Sequence, residues 1–149
     1  MWKKHGERKG SKREMTREDF KRIPELRREI SRALNLWENA IESATRKTSI
    51  ITGMPRGTGV TSQVENAVIK AEVYKEHYDM LCEEQRDIYR RLREESEAKL
   101  DNVARDILQK AYPQGMKTAD IAKALKITER HVYRIKREAI NKLCNLTYL

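Results

Sequence analysis

"KTADIAKALKITERHVYRIKREAINKL", Lys117–Leu143, decides how this chain is read. Two helical patterns follow each other closely, Thr118 to Leu125 and Thr128 to about Leu143, with room between them only for a tight turn. Ile121 and Leu125 pack inward, Ala122 supplies a small residue where a second helix crosses, and Ile127 plugs the turn. On a helical wheel Ile135, Ala139 and Leu143 lie within about 60° of Val132, a buried face for the second helix. Thr128 suits the N-cap of that helix. The pattern predicts a helix-turn-helix. Lys126 stands where glycine is frequent in such turns. A left-handed conformation there costs a non-glycine residue, which leaves a slightly different turn open.

The polar face of the second helix carries the chemistry. Arg130, Arg134, Arg137 and Asn141 fall between roughly 140° and 200° from Val132, opposite the apolar stripe. Arginine pairs bidentately with guanine and asparagine with adenine, and the N-terminal part of a recognition helix lies nearest the bases. Arg130 and Arg134 are the expected base readers. His131, Tyr133 and Lys136 flank the row at angles better suited to phosphates, and the Thr118 hydroxyl suits a phosphate too. A solvated cationic face is the plainer alternative. The row, the turn and the core spacing together favour double-stranded DNA as partner.

Charge is segregated along the chain. Residues 1–22 hold nine Lys/Arg against four Asp/Glu, residues 23–98 twelve against fourteen, and residues 99–149 eleven against five. Basic ends around a mildly acidic middle point to a polyanion at one or both ends. Residues 1–15 lack apolar periodicity and read as a disordered basic arm. Val103, Ile107 and Leu108 mark a short amphipathic helix ending near "YPQG", Tyr112–Gly115. With the helix-turn-helix it makes a small module over 99–149.

Residues 16–98 read as two long helices. Thr16 and Asp19 cap a short first turn, and the stronger helix starts near Pro24, a residue suited to a first helical position. Leu26, Ile30, Ala33, Leu34, Trp37, Ala40, Ile41 and Ala44 then form a buried stripe. In the second helix "SQVE", Ser62–Glu65, fits a capping box. Val64, Ala71, Tyr78, Gln85 and Leu92 alternate with Ala67, Tyr74, Leu81 and Ile88 at heptad spacing. Running to about Ala98, this helix spans roughly 55 Å. The seam faces the first helix, a second chain, or both, so a homo-oligomer is expected. No segment has a strand partner. The fold class is therefore all-α: a long helical hairpin or coiled-coil-like N-terminal part, then a C-terminal helix-turn-helix domain.

Between the long helices lies "TGMPRGTGV", Thr52–Val60, with three of the chain's six glycines. A Walker loop fails because no lysine follows Gly57 or Gly59, and a dinucleotide fingerprint fails at Ser62. The stretch reads as a turn with Arg56 at its tip. No apolar run approaches a membrane span of about 20 residues, and "MWKKHGERKGSKRE" lacks the apolar stretch of a secretory signal. Cys82 and Cys144 are too far apart for a metal knuckle, and His5, His77 and His131 are scattered. The carboxylates Glu83, Glu84, Asp87, Glu94, Glu95 and Glu97 alternate with Arg86, Arg90, Arg91 and Arg93, as on a solvated helix face. No enzyme, cofactor or metal is expected. A reduced, cytoplasmic location fits.

The stretch "ARDILQKAYPQGMKTADIAKALKITERHVYRIKREAINKL", Ala104–Leu143, resembles region 4 of bacterial sigma factors. With "HVYRIKREAINKL" and the upstream "MPRGTGV" it is similar to phage transcriptional regulators of the RinA/ArpU type, in which such a module follows a helical half. That resemblance implies an activator of phage or prophage late genes, acting on promoter DNA in the bacterial host cell and touching host RNA polymerase. It carries the recognition role to Glu129, Arg130, Tyr133, Arg134 and Arg137. The alternative is a phage small terminase subunit, which marks DNA for packaging. Its DNA-binding module usually precedes the oligomerisation segment, whereas here it comes last.

Overall fold

Thr16 and Asp19 start the first helix by capping each other. The Asp19 N–H donates to Thr16 Oγ1 at 3.3 Å, and the Thr16 N–H donates to Asp19 Oδ2 at 3.0 Å. Two of the N–H groups that a helix start leaves open are thereby satisfied. The computed structural model describes residues 14–53 and 58–144, with side chains over 14–46 and 63–144. The elements are α1 (Arg17–Gly53), α2 (Thr58–Lys99), α3 (Asn102–Ala111), α4 (Thr118–Leu125) and α5 (Glu129–Leu143). No strand occurs among the described residues. The fold is all-α, two long helices followed by a compact helix-turn-helix region.

Both long helices begin earlier than the sequence indicates. α1 runs unbroken from Arg17 and holds Pro24 inside it. A proline interior to a helix costs about 3 kcal/mol in isolation. Here the capping box and the burial of Met15, Phe20 and Ile23 hold the turns before it. α2 begins at Thr58, so Ser62 is an interior helical residue and not the N-cap. A glycine inside a helix costs only about 1 kcal/mol, which packing readily overrides. The tip of the expected turn, with Arg56, lies outside the described residues, as does the basic arm apart from Glu14 and Met15.

The chain divides into two compact units, one comprising Met1–Pro24 with Arg86–Leu149 and the other Glu25–Gln85. In the second unit the arms of α1 and α2 run antiparallel, with the Trp37 and Tyr78 rings 5.6 Å apart. Leu26, Ala33 and Ala40 are buried on α1, while Ile41, expected in the same stripe, is exposed. All nine heptad positions of α2 are buried or half-buried. A different stripe of α2 stays open: Ile69, Val73 and Met80 are 58%, 57% and 69% exposed.

In the first unit Ile107, Ile121, Ala122 and Val132 form the core of the three short helices. Ala111, Met116, Leu125, Ile127 and Ile135 pack around it. Asp101 caps α3 through its side chain, accepting from the Ala104 N–H at 2.9 Å. Ala104 is buried on α3, whereas Val103, expected on the inner face, is half exposed. After α3 the chain reverses through Gly115 at φ 67°, a conformation that glycine adopts without a Cβ clash. The start of α1 and the end of α2 complete the unit. Asp19 Oδ2 meets Arg91 Nη1 at 2.9 Å, and Glu14 meets Lys99 at 3.8 Å.

Candidate DNA-binding site

The turn between α4 and α5 sets the recognition face, and it depends on one backbone conformation. Lys126 takes the left-handed region at φ 58°, ψ 43°. Its N–H reaches the Lys123 carbonyl at 3.3 Å, and the Ile127 N–H reaches the Ala122 carbonyl at 3.0 Å. This pair closes the end of α4 in the Schellman manner and turns Ile127 back onto the core. The usual turn is therefore kept, with lysine bearing the strain that glycine would avoid. Thr128 then caps α5, its Oγ1 accepting from the His131 N–H at 3.2 Å. Ala122, Val132, Ala139 and Leu143 are buried, as the apolar spacing requires.

With that face packed inward, the opposite face of α5 is open. Glu129, Arg130, Tyr133, Arg134 and Arg137 are exposed, Tyr133 by 57%. Arg130, Tyr133, Arg134, Lys136 and Arg137 line one shallow depression. Four cations around one aromatic ring form a surface suited to a polyanion. Arg134 is braced on both sides: its guanidinium lies 2.7 Å from His131 Nδ1 and 3.7 Å from Glu138 Oε2. A guanidinium only donates, so Nδ1 accepts in that contact. Thr118 is half-buried at the start of α4, where Lys117 provides no side-chain cap. The first-turn N–H groups there are left without a capping side chain.

Residues 98–144 match the family model for sigma-70, region 4. No curated protein and no solved structure matches the chain. The match covers α3, α4 and α5, and a region 4 module is a DNA-binding helix-turn-helix. DNA binding is thus the role of this part of the chain. Among the described residues, no helix is long and apolar enough to cross a membrane, and no group of three His, Cys, Asp or Glu could hold a metal ion.

Two of the expected contact residues are engaged around this region-4-like module. The Lys136 ammonium lies 5.1 Å from the centre of the Tyr112 ring, a cation–π distance, and Tyr112 in turn tilts against Phe20 of α1 at 5.1 Å. Burial, reinforced by the Cys144 thiol, pushes the Tyr112 hydroxyl up from 10.0 to about 12. Asn141 accepts at Oδ1 from Arg17 Nη2 at 3.1 Å. Arg17 and Tyr112 are absent from the sequence-based set. The Thr16–Asp19 capping pair was the signal that α1 begins early enough to bring Arg17 to α5.

Proposed function

We propose that the protein is a sequence-specific transcriptional regulator that activates late genes of a phage or prophage. One observation carries this reading: Arg130, Arg134 and Arg137 stand exposed on the outer face of α5, within a module that matches sigma-70 region 4. α5 enters the major groove, with Arg130 and Arg134 reading base edges and Glu129, Tyr133 and Arg137 beside them. Thr118, Thr128, His131 and Lys136 serve phosphates or the geometry of the helix start. Residues 99–149 are the DNA-binding part, and residues 16–98 hold copies together.

The exposed Ile69, Val73 and Met80 support the oligomer. They fall within about 40° of one another on α2 and form an apolar stripe with no partner within the described chain. A homo-oligomer presents several modules at once, and repeated half-sites then follow from its symmetry. Host RNA polymerase is the proposed second partner, as the resemblance to sigma region 4 and to the phage regulators implies. The bacterial cytoplasm is the corresponding location.

A reporter driven by the phage's late promoter, with binding mapped across the phage genome, tests the reading. Activation together with occupancy upstream of that promoter is expected. Occupancy at a packaging site with no reporter response would assign the protein to the small terminase subunits instead.

A further inference from the structure

The outer row of α5 does not end at Arg137. Asn141 continues it at the next turn, about 16 Å along the helix from Arg130, and its side-chain oxygen is taken by Arg17. The first residue of α1 therefore adds a guanidinium to the row begun by Arg130, Arg134 and Arg137.

Arg17 is held there by a built support. Thr16 and Asp19 fix the helix start on either side of it. Asp19 is anchored to Arg91, both side chains being nearly buried, and Phe20 rests against Tyr112. Arg17 itself is exposed, and no carboxylate among the described residues forms an ion pair with it. Its partner is a neutral amide. An amide orients a guanidinium without cancelling its charge, so the full positive charge remains available to an anion.

Position decides which anion. In a helix-turn-helix the N-terminal residues of the recognition helix reach base edges, while the C-terminal end of such a helix passes the sugar-phosphate backbone. Asn141 lies at that end. The segment upstream of Arg17 is itself basic, so positive charge continues along the chain from this point.

We infer that Arg17 binds a DNA backbone phosphate beside the C-terminal end of α5, with Asn141 as its positioning residue. The inference rests on the DNA-binding reading of the module. It converts Asn141 from an adenine reader, whose oxygen would have to be released, into the residue that aims Arg17.

The test is the salt dependence of binding by the full chain. Two fluorescent duplexes about 20 base pairs long serve as probes, one of mixed sequence and one selected by the wild-type protein from a random library. Arg17→Ala is expected to weaken binding to both by the same factor and to lower the slope of log K against log salt by about 0.9, one phosphate contact. Arg17→Lys should keep the slope. Asn141→Ala should weaken binding in the wild type but add nothing in the Arg17→Ala background, which a purely structural role for Asn141 would not produce. Should Arg17→Ala lower the melting temperature, Arg17→Gln decides, since it removes the charge and keeps most of the length. An unchanged slope in the folded neutral variant, with Arg134→Ala still weakening the selected duplex, would overturn the inference and leave the DNA-binding reading standing. Failure of the wild type to bind either duplex would overturn both.

Discussion

Asp19 and Arg91 lie 72 positions apart in sequence, and their side chains meet at 2.9 Å with only 8% and 12% of their surface exposed. The same Asp19 carboxylate accepts from the Thr16 N–H, so one side chain starts α1 and fastens it to the end of α2. Arg91 is also within 3.4 Å of Asp87. Asp19→Ala removes half of the capping box and one partner of a nearly buried guanidinium. A loss of at least about 2 kcal/mol is expected. Urea unfolding of the variant measures it, and a loss below about 0.5 kcal/mol would mean that Asp87 alone satisfies Arg91.

This pair also explains what could be read from the sequence and what could not. Met15, Asp19, Ile23, Leu26, Ile30, Ala33 and Trp37 recur at spacings of four and three. The stripe is continuous except that a carboxylate occupies its second position. Asp19 reads as a surface residue until Arg91 is known to reach it, and that contact is invisible in local periodicity. With Pro24 nearby, local periodicity therefore puts the helix start late, whereas the helix runs from Arg17. The core of the helix-turn-helix was legible because Ile121, Ala122, Val132, Ala139 and Leu143 follow local rules of spacing. Arg17 was not, because only tertiary packing brings it to Asn141.

Lys126 offers a direct measure of strain in the turn. Its φ of 58° costs a residue with a Cβ about 1–2 kcal/mol, while glycine at the same place loses more chain entropy on folding. Lys126→Gly should leave a net gain of up to about 1 kcal/mol. A rise in melting temperature with unchanged sequence preference is the expected result. A fall would show that the lysine side chain contributes more than its backbone costs.

Tyr112 gives the first unit a pH signature at the alkaline end. Its hydroxyl ionises at about 12 in the folded chain against an ordinary 10.0, chiefly because burial penalises the phenolate. The folded state therefore holds the proton more tightly than the unfolded state. The stabilisation is complete below pH 10 and is lost as pH rises through about 12. Ultraviolet titration should show a tyrosine ionising at about 12 that is lost in Tyr112→Phe. The variant's stability should fall less steeply across that window.

The open stripe on α2 tests the oligomer. Val73→Glu combined with Met80→Glu places two carboxylates where apolar contacts with a second copy are proposed. Light scattering should show a lower mass with helicity retained. Identical masses for the variant and the wild type would remove this stripe from the interface.

Arg134 provides the sharpest test of base reading. It stands on the exposed row of α5, where His131 and Glu138 limit its freedom and reduce the order it must gain on binding. A bidentate arginine–guanine pair contributes about 1–3 kcal/mol of discrimination against the wrong base. Arg134→Ala should therefore weaken binding to the selected duplex by about that amount and relax preference at one base pair. Binding to mixed-sequence DNA should change much less, since there the guanidinium contributes only a general attraction. The contrast with Arg17, whose loss is expected to weaken both duplexes equally, separates a base reader from a phosphate contact on the same face. If Arg134→Ala weakened both duplexes by one factor and left the preferred sequence intact, Arg134 would be a backbone contact, and base reading would shift to Arg130 and Arg137.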